Sequence, residues 1–266
     1  MPEIHIAGNS ASLAHQAADI FVDIANKAIR EKGSCLVALS GGSTPKALYS
    51  LLASVEYTSK IDWPEVNFFF GDERNVPDDD PRSNYRMARE TLFEPLQINE
   101  SNVTPWITEL GSPPDVAEMY ELAIKMAIDP ALDPARDVAE EGAAENTIQA
   151  HRVLPELDLV LLGLGLDGHT ASLFPNTKAL RENEKLAVAN WVPQMDEYRF
   201  TMTFPLINNA ANIMFLVSGS EKAETLKDVL EGEYRPDDLP AQRIKPAHGE
   251  LIWMLDEASA ALLARQ

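Results

Sequence analysis

Apolar residues near the start of the chain follow two different spacings. Leu13, Ala17, Phe21, Ile24 and Ala28 recur at steps of three or four, the repeat of one helix face. This predicts an amphipathic helix over 13–29, closed by Gly33, a residue free to adopt left-handed backbone. Cys35-Leu36-Val37-Ala38-Leu39 is instead a continuous apolar run, as expected of a strand covered on both faces. Ser40-Gly41-Gly42-Ser43-Thr44-Pro45 follows, then the helical spacing of Ala47, Leu48, Leu51 and Leu52. Thr44 is the expected N-cap and Pro45 the first helical residue. The unit reads strand, glycine turn, helix.

The alternation continues. Residues 66–70 predict a second strand running into Gly71-Asp72-Glu73-Arg74, the polar stretch to Pro81 a loop, and 84–93 and 117–128 helices. A buried strand over 157–162 ends in Gly163-Leu164-Gly165-Leu166-Asp167-Gly168-His169. Strands over 199–204, 213–217 and 251–255, a helix over 221–230 and a last helix capped by Asp256 complete the pattern. Residues 129–152 mix Pro, Ala and acids and predict a surface excursion rather than a linker, because the pattern resumes at once. The expected fold is α/β: a mainly parallel, Rossmann-like sheet with helices on both faces, in a single domain over 1–266.

Composition narrows the function. With 45% hydrophobic residues in 266, the chain can bury a real core. Its 22 basic and 42 acidic residues give a net charge of −20, which argues against nucleic-acid partners and anionic membrane surfaces. The single cysteine excludes an intrachain disulfide, and no Cys/His cluster suggests structural zinc. Neither a basic-then-apolar leader nor an apolar run of about eighteen residues is visible. A cytoplasmic protein is expected. The acidity does not forbid an anionic ligand, since charges beyond about 8 Å are largely screened at physiological salt.

In parallel sheets, ligands sit beyond the carboxyl ends of strands, where the polar loops 40–45, 71–75 and 163–172 fall. Adjacent glycines at Gly41 and Gly42 let backbone approach an anion, and the following helix start offers unpaired N–H groups. Such a turn also serves purely structural ends. It is not a P-loop, for no Gly-Lys-Ser/Thr follows at the required spacing. Gly163 to Gly168 matches the dinucleotide fingerprint formally, but Pro175 interrupts the helix that motif should open. Asp167 would also repel a pyrophosphate. Asp167 and His169 read better as a carboxylate beside an imidazole available as general base, the alternative being a histidine that ties down its own loop. For Asp72, Glu73 and Arg74, internal salt bridging is the alternative to a binding role.

Taken together, Leu39-Ser40-Gly41-Gly42-Ser43-Thr44-Pro45, Gly71-Asp72-Glu73-Arg74 with Ser83-Asn84-Tyr85, and the run from Gly163 through Asp167-Gly168-His169-Thr170-Ala171-Ser172-Leu173-Phe174-Pro175 resemble one family. Arg199-Phe200-Thr201-Met202-Thr203, Gly219-Ser220-Glu221-Lys222 and Trp253-Met254-Leu255-Asp256 extend the resemblance over nearly the whole chain. It is the glucosamine-6-phosphate isomerase/6-phosphogluconolactonase family, on the lactonase side. The resemblance implies hydrolysis of a sugar-phosphate δ-lactone in the oxidative pentose phosphate pathway, without metal or organic cofactor. His169 would be the base, supported by Asp167, with Arg74 at the oxyanion or the sugar hydroxyls. Gly42, Ser43 and Thr44 would seat the phosphate, Arg199 and Lys222 would neutralise it, and Gly41, Asp72 and Gly168 would complete the substrate contacts. Ser172 and Cys35 need not act as nucleophiles. An aminosugar-phosphate isomerase or a non-catalytic sugar-phosphate sensor would reuse the same phosphate seat. The Ser172-Leu173-Phe174-Pro175 continuation speaks against the first, and the presence of His169, Asp167 and Arg74 against the second.

Overall fold

Nine strands form among the described residues: β1 (Glu3–Ala7), β2 (Cys35–Leu39), β3 (Val66–Phe70), β4 (Asp72–Arg74), β5 (Leu159–Leu162), β6 (Ala187–Val192), β7 (Glu197–Met202), β8 (Asn212–Val217) and β9 (Glu250–Asp256). The computed structural model describes residues 2–128 and 154–264, so the excursion expected at 129–152 lies outside them. Six strands make one sheet in the order β1-β9-β8-β5-β2-β3, and every neighbouring pair is parallel. All four residues of β5 are buried, which is why its sequence is an unbroken apolar run rather than an alternation. Helices flank the sheet. The chain steps from β2 outward to β3, then returns to β5 on the other side of β2 and continues to β8 and β9. Winding therefore reverses between β2 and β5, where the loops leave a crevice at the strand ends.

Helix α1 (Ser10–Lys32) buries Leu13, Ala17, Phe21, Ala25 and Ala28, begins with Asn9 accepting the Ser12 N–H, and ends at Gly33 with φ 83°. Helix α2 (Ser43–Leu52) starts earlier than expected, with Gly42 as its cap at φ 111°. Thr44 and Pro45 lie inside its first turn, where a missing proline N–H costs nothing. Further helices are α3 (Asn84–Ala88), continued by a π-turn at Arg89–Phe93, then α4 (Pro113–Ile128), α5 (Phe204–Asn208) and α6 (Ala223–Glu231).

Two expectations need correction. The strand expected over 199–204 does not join the main sheet: β7 pairs antiparallel with β4 and β6 in a separate sheet ordered β4-β7-β6. Trp106, stacked 5.4 Å from Phe200, packs against this small sheet. Nor does a helix follow Asp256, since residues 257–262 are turns. Ser259 Oγ donates to the carbonyls of Val217 and Asp256, a local side-chain alternative to helical bonding. No described helix is long and apolar enough to cross a membrane.

Candidate active site

The loop after β2 is pinned from beneath. Tyr49 of α2 accepts the Ser40 N–H at 2.9 Å and donates its hydroxyl proton to the Ser40 carbonyl at 2.8 Å. Both following glycines are required, for different reasons. A Cβ at Gly41 would collide with the Asn84 amide, and Gly42 sits at φ 111°, a region that disfavours side chains.

Strand β4 carries three charged residues with distinct duties. Asp72 is buried, accepts the Ser172 hydroxyl at 2.7 Å, and takes bonds from Asn84 Nδ2 at its carbonyl (3.0 Å) and Oδ1 (3.3 Å). The Glu73 carboxylate accepts the N–H groups of Arg74, Asn84 and Tyr85, each at 2.8 Å, and the Ser83 hydroxyl at 3.1 Å. Burial pushes the Glu73 carboxyl up from its ordinary range, against the pull of those N–H donors. Arg74 donates through Nη1 to the carbonyl of Arg82.

After β5 the chain folds back on itself. Gly165 N–H donates to the His169 carbonyl at 2.8 Å and Gly168 N–H to the Gly165 carbonyl at 3.1 Å. This fold brings His169 Nδ1 to 2.5 Å from Asp167 Oδ1 and stacks the imidazole on Phe174 with 4.1 Å between centroids. Gly165 has no side chain because a Cβ there would run into the imidazole. Burial alone would raise the Asp167 carboxyl, but bonding and attraction to His169 prevail and hold it below the ordinary range. An ionised Asp167 accepts Nδ1–H, which leaves Nε2 with its lone pair as the basic atom.

A cleft of about 580 Å³ brings together Gly41, Gly42, Asp72, Arg74, Asp167, His169 and Lys222. Lys222 arrives on the turn after β8, which Gly219 opens at φ 103°. Neither Arg74 nor Lys222 has a carboxylate within ion-pair distance among the described residues. The crevice therefore presents two unspent cations despite the net charge of −20.

Other expected residues are placed differently. Ser43 opens into an adjoining groove that shares Gly42 and Arg74 with the cleft. Thr44 lines neither space, and Gly168, at φ 79°, shapes the loop without lining the cleft. Arg199 is the clearest departure. It stands directly opposite Arg74 in the β4–β7 pairing, yet its Nη2 lies 2.5 Å from Glu197 Oε1, two residues away on the same face of the strand. Arg199 does not line the cleft, and its Nε is buried without a partner among the described residues.

Ser172 is fully buried and does not line the cleft, which leaves it no access as a nucleophile. Its hydroxyl is spent on Asp72, its N–H on Thr201 Oγ1 at 3.2 Å, and its carbonyl on Asn190 at 3.0 Å. Cys35 is buried in β2, and burial pushes its thiol far up, which makes it inert. Sequence reasoning did not assign roles to Asn84, Glu73 or Gly165. Each lay inside a motif already singled out: Glu73 and Asn84 in the segments that carry the family resemblance, Gly165 as the middle glycine of the rejected dinucleotide pattern. The assembled groups suit hydrolysis of an ester bond in a small anionic molecule: an oriented base, free cations and the Gly42 cap of α2 facing one crevice.

Comparison with known proteins agrees with this chemistry. The family model described as glucosamine-6-phosphate isomerases/6-phosphogluconolactonase matches residues 8–253. A 6-phosphogluconolactonase of Synechocystis sp. is 38% identical over 257 residues, covering 96% of this chain and 96% of its own. One from Haemophilus influenzae is 34% identical over 229 residues, with 85% and 87% covered. Among solved structures, the 6-phosphogluconolactonase from Trypanosoma cruzi superposes with a TM-score of 0.81 at 30% identity, covering 100% of this chain and 98% of that one.

Proposed function

Because the chain belongs to the glucosamine-6-phosphate isomerase/6-phosphogluconolactonase family, we infer that it hydrolyses 6-phospho-D-glucono-1,5-lactone to 6-phosphogluconate, the lactone-opening step of the oxidative pentose phosphate pathway. It is a lactone hydrolase. The observation that carries its mechanism is the 2.5 Å contact between Asp167 and His169 in a cleft with two unspent cations.

His169 Nε2 takes a proton from water as the water oxygen attacks the lactone carbonyl, and Asp167 stabilises the imidazolium that forms. The carbonyl oxygen becomes an oxyanion, which needs donors already in place. Arg74 is the cation nearest this duty. As the tetrahedral intermediate collapses, the ring C–O bond breaks and the imidazolium returns its proton to the leaving alkoxide. The products are a free hydroxyl and a carboxylic acid that ionises in water. The phosphate rests on backbone N–H groups at the start of α2, at Gly42, Ser43 and Thr44, with Lys222 as its counter-charge. Asp72 accepts a sugar hydroxyl beside Gly41, and Gly168 gives the base its loop. Arg199 is paired with Glu197 and does not line the cleft. We place the reaction in the cytoplasm, a reducing setting that suits a chain with one cysteine.

The test is hydrolysis of freshly prepared lactone, followed through a coupled 6-phosphogluconate dehydrogenase with spontaneous opening subtracted. Turnover should fall by at least about 100-fold in His169→Ala. Near-normal turnover in that folded variant would remove His169 from the role, and turnover of glucosamine 6-phosphate instead would move the chain to the isomerase branch.

A further inference from the structure

Beside the cleft runs a groove of about 320 Å³, whose charged lining is Lys46, Arg74, Arg82, Arg86 and Glu90. Four of the chain's 22 basic residues thus face one small space against a single carboxylate. Their hydrogen bonds show how much of that charge is already spent. Arg82 is committed, with Nε and Nη2 each 3.1 Å from the Asp80 carboxylate. Arg86 is half committed: Nε donates to Glu90 at 2.7 Å and Nη1 to the Asp79 carbonyl at 2.6 Å. Its Nη2 finds no acceptor among the described residues. The ammonium of Lys46, in the first turn of α2, has neither an ion-pair nor a hydrogen-bond partner among the described residues. Arg74 Nε is buried and unpartnered, which in a folded protein calls for an acceptor. The one carboxylate in the lining, Glu90, is already taken by Arg86. Donors without acceptors, in a strongly acidic molecule, call for a ligand made of acceptors.

We propose that the part of this groove at Lys46 and Arg86 is a second oxyanion site, adjoining the seat of the substrate's phosphate at Gly42 and Ser43 on the groove's other edge, and taking tetrahedral anions of the phosphate class. These come either as free phosphate or as the outer phosphate of a diphosphate. The proposal rests on the reading that the cleft holds the sugar phosphate. Gly42 and Arg74 belong to both spaces, so an anion in the groove draws on the guanidinium the substrate needs and inhibits hydrolysis. A ligand with two adjacent phosphates spans both seats.

Calorimetric titration of the full chain with inorganic phosphate and with pyrophosphate, at low salt, tests this alongside inhibition of lactone hydrolysis. Pyrophosphate should bind at least about tenfold more tightly than phosphate, the gain of one further set of charge-assisted bonds. Lys46→Ala should weaken pyrophosphate by about tenfold while the KM for lactone moves less than about twofold; adding Arg86→Ala should weaken it further. Arg74→Ala should weaken both ligands. Unchanged pyrophosphate affinity in Lys46→Ala overturns the proposal. So does a lactone KM that rises in the same proportion, which would make the groove the substrate's own phosphate seat. Calorimetry needs no turnover, so pyrophosphate binding through Lys46 in a chain that does not open the lactone would sink the hydrolase reading and leave the groove standing.

Discussion

At the scale of single residues, the site depends as much on absent side chains as on present ones. His169 is oriented on three sides: by Asp167 at 2.5 Å, by Phe174 at 4.1 Å and by the bare backbone of Gly165. The backbone of Gly165 is not in the left-handed region, so alanine there meets no conformational barrier and its only effect is steric. Gly165→Ala should therefore keep the fold and push the imidazole from its place. The expected result is a kcat lower by about 100-fold, matching loss of the base itself, with KM little changed. Steady-state kinetics with a melting curve checks this. A kcat close to that of the parent would mean that the imidazole does its work from more than one position.

At the scale of elements, β4 decides where Arg74 points. Three residues of antiparallel pairing with β7 hold it on one side, and Glu73 holds it on the other by gathering the first N–H groups of α3. The clamp also brings the 82–85 segment close enough for the Arg82 carbonyl to receive Arg74 Nη1. Glu73→Gln turns one acceptor oxygen into a donor facing other donors, so bonds to α3 are lost. If Glu73 positions Arg74 for the oxyanion, kcat should fall by about tenfold and KM by contrast change little. In the Arg74→Ala background the same substitution should add nothing, because the group it positions is gone. Additive losses would assign Glu73 a separate role. None of this clamp is legible in the sequence. The main sheet was legible because strands covered on both faces become apolar runs, as in β2 and β5, and the glycine turns after them announced the site. Strand β4 is Asp-Glu-Arg and hides among loop residues, since polar partners rather than apolar ones bury it. The edge strand β1 and the strand β6, with buried Asn190 in its middle, lack a clear pattern for related reasons. The bond from Ser172 to Asp72 joins positions 100 residues apart, and no local spacing foretells such a pair. Arg199 shows the converse: it matches the family pattern, and nothing in that pattern foretells that its guanidinium pairs with Glu197 two residues away.

For the whole molecule, two effects of pH oppose each other. Lowering pH from neutral discharges an excess of acids and relieves self-repulsion, yet certain carboxylates are worth more ionised than protonated. Glu156 is held below its ordinary range by Lys32 and His248. For Asp256 burial alone would raise the carboxyl, but it accepts Ser218 Oγ at 2.5 Å, Ser259 N–H at 2.8 Å and Gly219 N–H at 3.2 Å, and the net direction is down. A carboxyl depressed in the folded state stabilises the fold above its unfolded value of about 4, and that stability disappears as pH falls through the folded value. Exposed acids are screened, so the bonded ones should dominate in acid: stability holds between neutral pH and about pH 5 and drops below about pH 4. Asp256→Asn isolates one contribution. It removes the charge from an acceptor that ties β9 to the turn carrying Lys222, costing about 1–3 kcal/mol at pH 7. Once the parent's Asp256 is protonated, most of that difference has gone, so the gap between the two urea-unfolding free energies should begin to narrow below about pH 4 and close only below the depressed folded value. Because Gly219 opens the Lys222 turn, the variant should also show a raised KM at neutral pH. A stability gap of constant size across the range would mean that shape, and not charge, makes Asp256 matter, and that acid lability is not coupled to the cleft.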